Sequence, residues 1–204
     1  MITRHEELDE FIPVHTTITQ EINGEKRFRV IKKEKLMQFD ENTFVKLKDM
    51  DFHNGIIRVK MLSRLLPDAP DFARGFIGIV FRVKQDNSEF ESFYIRPTNA
   101  MTEDPVRRAH GCQYFSYPGY TFSYFREFGI TEYEAPIHNG LNEWIQLTAI
   151  IRDEKAEFFL NEEKAPVLTV RSLKHGNEAR GSVGFFSEIG TEAFFKDFEV
   201  ECAD

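Results

Sequence analysis

The sequence of 204 residues predicts an all-β fold, an antiparallel sandwich, on three observations. Apolar and polar residues alternate with period two in one run after another, which places successive side chains on opposite faces of a strand. The 21 phenylalanines sit beside β-branched residues rather than in helical stripes. Glycine and proline punctuate these runs at sandwich-like spacing. No crossover helices separate them, which argues against a βαβ arrangement.

The elements follow in order. Residues 1–12, rich in Glu and Asp, predict a mobile arm or a short helix. Arg27–Lys32 and Thr43–Lys48 alternate and predict strands. The DFHNG stretch at 51–55 predicts a turn, with Asn54-Gly55 suited to positive φ. Ile56–Leu62 is a strand. Ser63–Arg74, with two prolines and two aspartates, is a long loop of the kind that often carries function. Gly75–Lys84 and Glu89–Pro97 form a hairpin across Asp86-Asn87-Ser88. Thr102–His110 is the one convincing helical run, and Cys112–Tyr117 is a strand. Glu143–Arg152 and Lys155–Asn161 make a second hairpin across Asp153-Glu154. Val167–Val170, Gly181–Ser187 and Thr191–Cys202 complete the strands. Phe81, Phe93, Leu147 and Phe159 are the expected core members. Trp144 is expected to be core as well.

Length suits one domain over 1–204, large enough to bury about 70% of its unfolded surface. Net charge −8 argues against nucleic acid and against an anionic membrane surface as partners. No run of about 18 apolar residues is present to span a bilayer. The start, MITRHEELDEFIPV, has charges where a signal peptide needs an apolar centre, so a cytoplasmic protein is expected, with a processed secreted form as the alternative. Cys112 and Cys202 do not make a disulfide framework and are expected to be buried thiols. No CxxC or HExxH pattern implies a zinc site.

The most concentrated chemistry runs from Phe93 to Arg126. It gathers Arg96, Arg107, Arg108 and Arg126 with His110, Asn99, Gln113 and tyrosines 94, 114, 117, 120 and 124, in a chain that is acidic on average. Ring faces can cover the apolar side of a sugar while Arg, Asn and Gln bond its hydroxyls or a carboxylate. By parity Tyr94 and Arg96 share a strand face. Arg82 falls with Phe76, Gly78 and Val80 on the less apolar face of the neighbouring strand, so Arg82, Tyr94 and Arg96 are expected to open to one groove. A buried arginine can equally serve a structural ion pair.

Several segments together resemble the concanavalin A-like lectin/glucanase superfamily, close to its laminin G-like branch. They are DFHNGIIRVKML, RGFIGIVFRV, FYIRPTN, DPVRRAHGCQY, EWIQLTAIIRDEKAEFFLN, PVLTVRSLKHG and GSVGFFSEIGTEAFFKDFEV, over about residues 40–200. The RPTN, DPVRRAH and QY run is similar to a narrower set of uncharacterised bacterial proteins. The resemblance implies a two-sheet antiparallel jelly roll, with ligands on a sheet face or its rim loops. Fold alone does not fix function.

The resemblance also implies the candidate chemistries. Jelly-roll polysaccharide lyases use Tyr or His as base and acid, with Arg and Gln or Asn neutralising a uronate carboxylate. His110, Gln113, Tyr120, Arg96, Arg107 and Asn99 are of those types, without the lyase motifs themselves. The glucanase carboxylate run is absent from every interior strand. Glu132 and Glu134 are its nearest counterpart, and on one strand they would lie roughly 7 Å apart. Asp197 is a weak candidate ligand for a structural calcium; no other cofactor is expected.

The sequence therefore points to a carbohydrate-binding, lectin-like domain, an acidic glycan being among the candidates. Its expected site is Arg82, Tyr94, Arg96, Asn99, Arg107, Arg108, His110, Gln113, Tyr120 and Arg126. The alternatives are a glycan lyase or hydrolase using His110, Tyr120 and Glu134, and a protein-interaction domain that binds no sugar.

Overall fold

The computed structural model describes residues 2–33 and 40–203. In chain order the first strands are β1 (Ile2–His5), β2 (Phe11–Val14), β3 (Thr16–Asn23), β4 (Glu25–Lys32), β5 (Phe44–Leu47), β6 (Asn54–Leu65), β7 (Ile77–Val83) and β8 (Phe90–Ile95). Helices α1 (Pro97–Ala100) and α2 (Pro105–Arg108) precede β9 (Cys112–Tyr117), and α3 (Phe122–Glu127) precedes β10 (Glu134–Ala135). The chain closes with β11 (Ile145–Arg152), β12 (Lys155–Leu160), β13 (Leu168–Val170), β14 (Ser182–Ser187) and β15 (Thr191–Ala203).

The strands form two antiparallel sheets packed as a sandwich. One runs β13-β12-β11-β6-β15-β4-β3, with β1 also pairing β15; the other runs β10-β9-β8-β7-β14-β5-β2. In the first sheet β11 and β12 alternate buried and half-exposed residues, as expected of a sheet with one wet face. In the second sheet β7, β8 and β14 are buried at every position, so both faces are covered. Phenylalanines join the sheets: Phe185 stacks on Phe195 at 4.3 Å and Phe93 on Phe158 at 4.2 Å. The outer face of the second sheet carries its own aromatic layer. There Phe44 meets Phe90 at 5.0 Å, and Tyr94 lies on Phe186 at 5.3 Å and edge-on to Phe115 at 5.8 Å. Arg96, Gln113 and the Tyr94 hydroxyl bring polar groups together at the β8–β9–β10 end of this layer, which is where the site forms.

The structure differs from the sequence expectations at particular places. The N-terminal residues are neither a mobile arm nor a helix of any length. β1 pairs with β15 and β2 with β5, and between them lies a single 3-10 turn at Leu8–Glu10. The helical run at Thr102–His110 shrinks to α2. Phe158, not Phe159, is the core phenylalanine of β12: Phe158 is fully buried and Phe159 half-buried. Trp144 is not core. It is half-buried on the wet face of the first sheet, with the Lys196 ammonium 4.4 Å from its ring centroid. Cys112 is buried as expected, but Cys202 is exposed.

Candidate functional site

The site is built on the last residues of β8 and on three loops that meet there. Tyr94 and Arg96 project from the outer face of the second sheet, in line with their shared parity. Gly78 stands opposite Tyr94 in the β7–β8 register, and an added Cβ there would come 2.0 Å from the carbonyl oxygen of Phe93. Gly78 therefore serves the close approach of two strands rather than leaving open space for a ligand. The β8–β9 link carries α1 and α2. The Asp104 carboxylate caps α2 by accepting from the backbone N–H groups of Val106 at 2.9 Å and Arg107 at 3.4 Å, with Pro105 in the first helical position. This cap fixes where Arg107 emerges. The β9–β10 link carries α3, whose Phe122 and Arg126 are four residues apart and share a helix face. The β6–β7 loop brings Phe72, Arg74 and Phe76, and the N–H of Thr98 donates to the carbonyl of Arg74 at 3.3 Å, tying that loop to α1.

Together these elements enclose a cavity of about 260 Å³. It is lined by Phe72, Phe76, Val106 and Phe122 on its apolar side, and by Arg74, Tyr94, Arg96, Asn99, Arg107, His110 and Arg126 on its polar side.

Arg96 is the hub. Its guanidinium donates to Glu134 Oε1 at 2.8 Å, to the hydroxyl of Tyr94 at 2.9 Å, to the carbonyl of His110 at 3.3 Å and to Gln113 Oε1. Glu134, placed by the β9–β10 pairing opposite Gln113, also accepts from Arg126 at 3.2 Å. The His110 Nδ1 lies 2.9 Å from Glu134 Oε2, without hydrogen-bond alignment. Phe122 has guanidiniums near its ring on two counts, Arg126 at 5.0 Å and Arg96 at 5.5 Å. Asn99 donates to the carbonyl of His110 at 2.8 Å and accepts weakly from Arg107 at 3.4 Å.

Electrostatics follow from this crowding. Burial lowers the pKa of His110, and Arg126 and Arg96 act in the same direction while Glu134 opposes them. His110 is therefore neutral at pH 7. Beneath the cavity lies Asp40, fully buried, which accepts from the hydroxyl of Tyr94 at 2.9 Å and from the backbone N–H of Phe122. Burial pushes its pKa up to about 6, against the pull of the Phe122 N–H, Arg96 and Tyr94.

A folded pKa above the unfolded value of about 3.9 means that ionised Asp40 costs stability. The cost is absent below about pH 4, grows as pH rises through 6, and reaches roughly 3 kcal/mol above it. The stability difference between Asp40→Asn and the parent should thus move in favour of the variant by about that amount from pH 4 to pH 7, read by urea melts. A difference that stays constant with pH would show that Asp40 does not titrate in this range.

Of the ten residues expected in the site, six line the cavity: Tyr94, Arg96, Asn99, Arg107, His110 and Arg126. Gln113 lies buried just beneath, bonded to Arg96. Arg108 is exposed and turned away, donating to the carbonyl of Thr102 at 2.6 Å. Tyr120 packs on Tyr124 at 5.3 Å with Lys174 over its ring, outside the cavity. Arg82 does not join Tyr94 and Arg96. β7 carries one extra residue against β14, and Arg82, at φ 52°, sits in that bulge. The bulge breaks strand parity, and Arg82 donates instead to the carbonyls of His53, Gly176 and Asp153 and to Asn54 Oδ1, at 2.6–3.2 Å. Glu132 and Glu134 do not form a dyad: Glu132 precedes β10 and borders a different depression beside Thr169 and Arg171. Asp197 pairs with Lys60 at 2.9 Å, and among the described residues no group of three His, Cys, Asp or Glu is placed to hold a metal.

Sequence reasoning missed Phe72, Arg74, Phe76, Val106, Phe122 and Asp40. The long loop at Ser63–Arg74 carries Phe72 and Arg74, and nothing in its composition singles out either residue. The i, i+4 spacing of Phe122 and Arg126 was the one signal available.

No family model matches this sequence, and no curated protein sequence matches it either. Solved structures do share its fold. A carbohydrate-binding module, CBM66 from Bacillus subtilis, aligns with TM-score 0.60 and 12% identity over 94% of this chain and 96% of that one. A Bacillus subtilis protein of unknown function with a galectin-like fold aligns with TM-score 0.53 and 12% identity over 98% and 97%. A glycosidic hydrolase aligns with TM-score 0.53 and 9% identity over 98% and 94%. At these identities the likeness is one of fold: the chain is a two-sheet jelly-roll sandwich of the kind seen in carbohydrate-binding and glycoside-hydrolase structures.

Proposed function

We propose that the chain is a carbohydrate-binding, lectin-like domain and that the cavity at the end of β8 holds one sugar residue. The observation that carries this is the two-sided lining: three phenylalanines and a valine face a set of fixed planar donors across about 260 Å³. That volume is small beside the roughly 300–1,000 Å³ of ordinary ligand pockets and suits a single ring. Arg96 and Asn99 are held by neighbours before any ligand arrives, which lowers the ordering cost of binding. Four guanidiniums surround the cavity against the carboxylates of Glu134 and Asp40, so an acidic sugar is the better-matched ligand. On the same footing we take residues 1–204 as one domain of the concanavalin A-like superfamily, near its laminin G-like branch, acting in the cytoplasm. CBM66, a carbohydrate-binding module that aligns over nearly the full length of this chain, supports the binding reading.

A glycan lyase or hydrolase is the second reading, and one observation favours it. His110, neutral and facing the cavity, approaches a carboxylate at 2.9 Å, an arrangement able to accept a proton. A glycan array and a turnover screen on one preparation separate the two. Capture without cleavage is expected. Phe72→Ala, which trims a half-buried wall of the cavity, should weaken capture about tenfold, and because the ring also packs against the core the thermal midpoint should fall as well. Cleavage that disappears in His110→Ala would turn the assignment to the enzyme, and a protein that retains no glycan would refute both.

A further inference from the structure

The cations of the cavity are not equivalent. Glu134 neutralises Arg96 and Arg126, at 2.8 and 3.2 Å. Among the described residues no carboxylate lies within ion-pair reach of Arg74 or Arg107. Arg74 donates one nitrogen, Nη1, to the carbonyls of Asp71 at 2.8 Å and Ala73 at 2.9 Å, which anchors its guanidinium without cancelling the charge. Arg107 makes a single long bond, from Nη2 to Asn99 at 3.4 Å, and its Nε is buried with no acceptor. Both side chains are placed by separate devices, the α2 cap for Arg107 and the Thr98–Arg74 backbone bond for the β6–β7 loop. The two therefore face one cavity as uncompensated like charges, and the strain is visible at Arg74: burial lowers its pKa, with Arg107 and Arg96 adding to the shift.

We infer that Arg74 and Arg107 form an anion subsite for the acidic group of the bound sugar, a carboxylate or a sulfate ester, while the Glu134-paired Arg96 and Arg126 serve its neutral hydroxyls. The inference rests on the carbohydrate reading and gives that reading a ligand class. A guanidinium presents a planar fork to an oxyanion, so two of them can clasp a group with two or three equivalent oxygens. The anion replaces a repulsion by two attractions. A neutral sugar does not.

Calorimetry tests this on oligomers of glucuronate, galacturonate and mannuronate, on their carboxyl-reduced neutral forms, and on sulfated neutral sugars. The parent should bind at least one acidic probe about tenfold or more tightly than its neutral counterpart. That preference should shrink as salt rises, because partly exposed charges are screened over about 8–10 Å. The carboxylate and sulfate arms report which acid the subsite takes. Arg107→Gln and Arg74→Gln should each reduce the preference to within about twofold. Arg126→Gln, and the exposed neighbour Arg108→Gln, should keep it. Equal affinity for acidic and neutral probes in the parent, or a preference that survives both glutamine variants, overturns the subsite alone. Failure of every sugar to bind overturns the carbohydrate reading and the subsite with it.

Discussion

Replacing Phe185 with alanine is expected to cost about 3–5 kcal/mol of folding stability, a large share of the roughly 5–15 kcal/mol of a typical domain. Phe185 is fully buried at the junction of the two sheets. It stacks on Phe195 at 4.3 Å and meets Phe198 at 4.7 Å, Phe11 at 5.1 Å and Phe28 at 5.9 Å. Those partners come from β15, β2 and β4, so the cavity left by the truncation is walled by three strands that cannot collapse without breaking their own pairings. Urea unfolding should show a lower midpoint with an unchanged slope. A loss below about 1 kcal/mol would mean that the sheets do not pack through this ring.

Glu134→Ala should be of similar size, about 3–5 kcal/mol, for an electrostatic reason. Its carboxylate is nearly inaccessible, as is the Arg96 side chain it holds. Removing the carboxylate leaves Arg96 buried without its direct ion-pair partner, with only the more distant charge of Asp40 to offset it. The Arg126 part of the loss is small, because that guanidinium is well exposed and water screens it. The double variant Arg96→Met/Glu134→Leu should be markedly more stable than Glu134→Ala, since it removes both charges and keeps apolar volume. If the double variant loses as much stability as the single one, the cost lies in packing rather than in the stranded charge.

The sequence showed much of this where period two decides the outcome. Tyr94 and Arg96 share a face because β8 pairs in register with both neighbours. The same logic fails at Arg82, where one extra residue in β7 rotates the side chain out of the series, and no composition signal marks the bulge. In KAEFFL two adjacent phenylalanines satisfy either parity, so choosing Phe158 over Phe159 needs the partner strand. The N-terminal residues look like an arm or a helix because β15, the partner of β1, is almost two hundred residues away, and only Leu8–Glu10 makes a single 3-10 turn. In the site, the cations of one contiguous stretch were visible, but their division was not. What separates Arg96 from Arg107 is the position of Glu134, and what completes the cavity is Arg74, brought by a loop that closes only in three dimensions.

A ligand bound in the cavity at the end of β8 should be visible by amide chemical-shift mapping. A glycan identified on the array is titrated into isotopically labelled protein. The large shifts are expected on Phe72–Phe76, Arg96–Asn99, Val106–His110 and Phe122–Arg126, the segments that line the cavity. Shifts concentrated instead on the wet face of the other sheet, around Lys60, Trp144, Gln146 and Asn161, would place the ligand elsewhere and contradict the proposed site.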